Sequence, residues 1–164
     1  MSHPLVSQLS FARSEFKRGL SSLPDEDAQG RMLPMNCISW MIGHLAWQEQ
    51  RYWLERAQGM ILLPHLNEDF AYGGPATTPD LEETWAAWET ITAAADIWLD
   101  QLENDSISAP LAEDYSSVGT YLYRTIYHYW YHLGEAMAVR QLLGHSGLSE
   151  FVGDIDAEAP HRPA

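Results

Sequence analysis

A second cysteine is missing from this chain: Cys37 stands alone, so no intramolecular disulfide can staple the fold. Basic residues are scarce as well, with 9 Lys and Arg against 23 Asp and Glu, a formal net charge of -14. Such a surface repels a phosphate backbone and an anionic membrane, which excludes nucleic acid as a partner. Long apolar runs are absent, because Gly, Pro, Asn or His interrupt every uncharged stretch well short of the ~20 residues a membrane helix needs. No membrane is expected. The opening MSHPLVSQLSFARSEFK shows no basic leader followed by a long apolar stretch, and the expected compartment is the cytoplasm. There is no alternating strand pattern, internal repeat or low-complexity tract.

What remains is helical periodicity in a chain of 164 residues, long enough to bury its own core as one domain. Leu5, Leu9, Ala12, Phe16 and Leu20 place an apolar stripe on a first helix, which SSLPDED ends. A second helix is predicted from an N-cap at Asn36, after Pro34, to Gly59, about six turns. The third begins at Thr78 with Pro79, Asp80, Glu82 and Glu83 in its first turn, and Leu81, Trp85, Trp88, Ala95, Trp98 and Leu102 form its stripe. A fourth runs from Ser116 or Ser117 to Gly144. The fold class is therefore all-α, a bundle of four amphipathic helices spanning residues 1–148. Residues 149–164 are acidic, contain two prolines and read as a surface strap or tail. The connection GMILLPHLNEDFAYGGPATTP is longer than most loops and serves either as a lid or as a crossover along the bundle.

Chemistry concentrates in the fourth helix. His128 and His132 are four apart, so a helix stacks them on one face, and Glu135 extends that ladder through an otherwise apolar stripe. Buried ionisable groups lose several kcal/mol of hydration when unpaired, and a metal ion would satisfy them. His44 supplies a third imidazole from the second helix, on the side that also carries Cys37, Met41, Gln48 and Arg51. The competing reading is a set of core histidines hydrogen-bonded to backbone or tyrosine. A zincin HExxH is absent, since Tyr129 follows His128, and no Glu-x-x-His pair suggests a di-iron centre. His65 reads as a solvated loop residue, His145 as a cation at a helix C-terminus, and His3 and His161 as terminal residues. Trp85, Trp88 and Trp98 sit at core spacing, and Cys37 reads as a small buried filler.

IYHYWYHLGEAMAVRQLLGH, together with NCISWMIGHLAWQEQRYW, resembles the DinB-like (DinB/YfiT) four-helix-bundle family over most of the chain. The resemblance implies an up-down-down-up bundle with a long crossover between helices two and three. It implies a divalent metal on His44, His128 and His132, Zn²⁺ as first expectation and Ni²⁺ as second. Where many relatives carry Gln, this chain has Glu135 in HLGE, which leaves open a fourth ligand or an outer hydrogen-bond partner. Three histidines leave coordination positions free, and a metal there lowers the pKa of bound water or thiol. The implied function is a metal-dependent transferase or isomerase, or a hydrolase, using a low-molecular-weight thiol on a small electrophilic substrate. The alternative is a non-catalytic metal or small-molecule binding bundle, with a homodimer as its assembly.

Overall fold

The four apolar stripes become four long helices in a computed structural model that describes residues 3–150 and 152–162. They are α1 (Pro4–Gly19), α3 (Ile38–Glu49), α5 (Leu81–Leu99) and α7 (Val118–Leu142). Shorter helices lie between and after them: α2 (Asp25–Gln29), α4 (Leu66–Asp69), α6 (Asn104–Ser108) and α8 (Ile155–Glu158). The described residues contain no strand, only an isolated bridge between Pro110 and Ser117. The short helices escape periodicity because four or five residues do not complete two turns of an amphipathic stripe.

Helix ends shift by a residue or two from expectation. α3 is capped by Cys37 rather than Asn36, and α5 by Asp80, whose carboxylate accepts the Glu83 N–H at 2.9 Å. Ser117 caps α7. At its far end Gly144, with φ +83, lets the chain turn back so that its N–H reaches the Gln141 carbonyl and that of His145 reaches Arg140, each at 3.0 Å. Only glycine takes that backbone conformation without strain.

The second helix departs from the amphipathic reading. All twelve residues of α3 are buried, because α5 and α7 cover two sides while α2 and α4 cover others. Its continuation, Gln50–Arg56, is wound as a π-helix. The long connection is fastened to this helix throughout. Trp40 Nε1–H donates to the carbonyls of Asp69 (3.2 Å) and Pro75 (2.9 Å), and Trp47 Nε1–H donates to Asn67 Oδ1 at 3.0 Å. Gln50 accepts the N–H groups of Leu62 and Leu63 and donates to the Leu63 carbonyl, satisfying a bend that has no helical partners.

A polar clasp ties all four long helices together inside the core. Arg13 of α1 grips Glu49 of α3 with two parallel hydrogen bonds and reaches Asp96 of α5. Tyr129 of α7 donates to Glu49 Oε1 at 2.7 Å and accepts from Trp88 Nε1 of α5 at 2.7 Å. Burial opposes the charge on Arg13, and Glu49 more than offsets it, so the guanidinium stays protonated. Burial, then the Glu49 carboxylate, pushes the Tyr129 phenol up, and it stays a donor.

The C-terminal residues lie along α1. Ser149 and Glu150 bond to Arg18, the Gly153 N–H donates to Glu15 Oε2 at 2.8 Å, and the Ala159 carbonyl accepts from Gln8. The Arg18 hydrogen bond holds the Glu15 carboxyl below its usual range; burial works against this and the Gly153 N–H assists. A carboxyl depressed in the folded state contributes stability above its unfolded pKa of ~4.3, and that contribution is lost as pH falls through the folded value. The protection factor of the Gly153 amide is therefore expected to be flat through neutral pH and to drop below that range, read by hydrogen exchange corrected for intrinsic rates. Constant protection into strong acid would show that Glu15 does not hold the segment.

Candidate metal centre

His44, His128 and His132 meet between α3 and α7, and their ligand-capable atoms all lie within 4.8 Å of one another. The His44 ring stands 5.0 Å from that of His128 and 5.3 Å from that of His132, nearly perpendicular to both. Two nitrogens bound to one Zn²⁺ at about 2.0–2.1 Å stand no more than about 4 Å apart, so small ring adjustments suffice to seat one ion.

Hydrogen bonds at the outer nitrogens decide which lone pairs face inward. His44 Nδ1–H donates to the Phe70 carbonyl at 2.7 Å, leaving Nε2 as a bare acceptor. His132 Nδ1–H donates to Glu135 Oε2 at 2.8 Å, which likewise frees its Nε2. That atom lies 2.8 Å from His128 Nε2, so a proton must sit between two nitrogens that would otherwise repel. His128 Nδ1 is then buried without a partner, as is Gln48 Oε1 one turn beyond His44. A cation in place of the shared proton would move that hydrogen to His128 Nδ1 and leave three lone pairs converging on one point. The donor set fits a divalent ion.

Electrostatics agree. Burial pushes the His44 imidazole down to about 4, with the Phe70 carbonyl working in the opposite direction. Burial, then His132 and His44, pushes His128 down to about 3. Both rings are therefore neutral at neutral pH, the state a ligand requires. The His132 hydrogen bond holds the Glu135 carboxyl below its usual range, against partial burial, and Tyr131 adds to the effect. The α7 ladder is thus assembled as expected, with Glu135 on His132 rather than among the three clustered donors.

The remaining candidates are elsewhere. His65 is exposed at the start of α4, and His3 accepts the Leu5 N–H at the start of α1. His145, just past the end of α7, has two partners: its Nδ1 accepts Arg140 Nε–H at 3.1 Å and its Nε2–H donates to Asp27 at 3.0 Å, so the ring links the end of α7 to α2. The Arg140 guanidinium itself caps the end of α1 through the Gly19 and Ser21 carbonyls. Cys37 is buried against Ser39 and the Thr77 carbonyl, in keeping with a filler.

Sequence reasoning missed Phe70 and Gly43, which together seat His44. A Cβ on Gly43 would penetrate the Phe70 ring, so only glycine lets the long connection approach closely enough to accept from His44. Gly43→Ala is expected to destabilise the fold by about 1–3 kcal/mol, the usual overpacking range. It should also weaken metal binding on the order of 10-fold by displacing an outer hydrogen-bond partner. Chelator competition and urea unfolding would measure both, and unchanged metal affinity would detach Phe70 from the centre.

A cavity of about 470 Å³ opens over the three rings, bounded by Met35, Trp40, Tyr72, Tyr131 and Glu135 among others. No curated protein matches the chain. A family model described as the DinB superfamily matches residues 8–136, a span from α1 into α7 that includes His44, His128, His132 and Glu135. The chain belongs to the DinB superfamily.

Proposed function

We propose that His44, His128 and His132 hold one divalent metal, Zn²⁺ or, second, Ni²⁺, and that the protein is a thiol-dependent transferase or isomerase acting on a small electrophile. The convergence of three donor atoms within 4.8 Å, beneath an open cavity, carries the reading. A bound cation supplies Lewis acidity that lowers the pKa of a thiol or water. The chain's own residues do the rest. Phe70 and Glu135 fix the orientation of two imidazoles, and Glu135 holds the Nδ1 proton of His132. Trp40 and Trp47 stack on either side of His44 at 4.9 and 5.2 Å and keep water from it.

The bundle order in this reading is up-down-down-up. Its support is register: α3 and its π-wound continuation meet α7 in opposite sequence order, through His44 with His132, Glu49 with Tyr129 and Arg56 with Tyr121. α1 meets α5 likewise, through Arg13 with Asp96 and Lys17 with Glu89. The long connection then carries the chain back along the bundle. Residues 1–148 form the bundle domain and the remainder its strap. No helix of the described residues is long and apolar enough to cross a membrane, and the cytoplasm is the proposed compartment.

Elemental analysis of the purified protein, followed by thiol consumption with a panel of electrophiles, tests the function. One metal per chain with electrophile-dependent loss of thiol is expected. Metal with every thiol intact would leave a binding bundle, and no metal would refute the site.

A further inference from the structure

Outside the three histidines the lining of the cavity carries charge of one sign: among the described residues Glu135 is its one carboxylate, and no Lys or Arg belongs to it. Arg31, the guanidinium nearest in sequence, donates Nε–H to the Met35 carbonyl at 3.4 Å from outside that lining. Arg51 is spent over the Trp47 ring at 5.1 Å. The mouth carries two exposed rings, Tyr72 at 90% and Tyr131 at 62% accessible. Aromatic faces and a carboxylate attract cations, and an anion finds no partner on either. The surface charge of -14 adds the same sign at longer range.

We propose that this pocket takes ligands with an uncharged or cationic body and turns away those with a second anionic group beyond the atom bound at the histidines. Glu135, Tyr72 and Tyr131 set the preference. The inference rests on the reading that the histidines hold a metal. It narrows the substrate class to apolar or amine-bearing thiols and electrophiles and sets polycarboxylates outside it.

The test uses the full chain loaded with Co²⁺ under anaerobic conditions, with cobalt per chain measured first. Three thiols of one two-carbon skeleton are then titrated: thiocholine, mercaptoethanol and mercaptoethanesulfonate. Thiolate-to-cobalt absorption gives the affinity, expressed per thiolate. Thiocholine is expected to bind about tenfold more tightly than the sulfonate, the scale of one ring or charge contact. Glu135→Gln, with cobalt retained, should narrow that gap, as should added salt. A sulfonate that binds as tightly as thiocholine to cobalt-loaded protein would overturn the selection and leave the metal site standing. Wild-type protein that takes up no cobalt would remove both. A gap unchanged in Glu135→Gln and in Tyr131→Leu would overturn the assignment to these residues.

Discussion

Glu49→Leu is expected to destabilise the protein by about 3–5 kcal/mol, because it leaves Arg13 charged in a place without water. Arg13 is 5% exposed and Glu49 fully buried, and Tyr129 would lose its acceptor in the same step. Asp96 stays within reach of Arg13 but its side chain is 47% exposed, so it cannot stand in for a bidentate partner. For a domain of this size each kcal/mol moves the melting point by roughly 2–4 °C, and the variant should melt on the order of 10 °C lower. Arg13→Met in the same chain is expected to recover much of the loss, since an apolar pair of similar volume leaves no charge to desolvate. A double-mutant cycle by urea unfolding would measure the coupling. A single variant as stable as wild type would mean that water reaches the clasp.

His132→Ala is expected to abolish stoichiometric metal while leaving the helical content intact. Losing one of three imidazoles removes a ligand, and it also frees Glu135 and the Nε2 of His128, both of which bond to it. The fold depends on this ring far less, because the core around it is built from four helices and the clasp lies on other residues. His65→Ala supplies the comparison, since that exposed ring is outside the cluster and its loss should leave metal content unchanged. Circular dichroism and elemental analysis read the two effects separately. Full metal in the His132 variant would exclude the three-histidine centre.

The three ligand candidates were legible because a four-residue spacing on a helix fixes two rings on one face before any tertiary contact forms. His44 was legible only as a partner to that pair, and its orientation was not. The group that turns it is the Phe70 carbonyl, and a main-chain oxygen in a loop leaves no mark in the sequence. Arg13 and Glu49 were hidden for another reason. Each sits beside an apolar stripe and reads as its polar edge, while the partner that buries it is 36 residues away. The all-round burial of α3 is hidden likewise, because Glu49 and the Gln50 that follows it read as polar positions until Tyr129 and the loop backbone are placed against them.

The π-wound stretch Gln50–Arg56 has a consequence for anyone aligning this chain with its relatives. A π-turn closes i→i+5 hydrogen bonds where an α-turn closes i→i+4, so the stretch holds about one residue more than ordinary winding would, and a one-residue deletion that restored that winding would leave the side chains on either side in nearly their present directions. His44 upstream would keep its place, and the residues after the stretch would keep theirs. A single-position gap in this region therefore belongs inside the helix, within Gln50–Arg56, and shifting it into the following loop would pair the wrong residues along the rest of the helix.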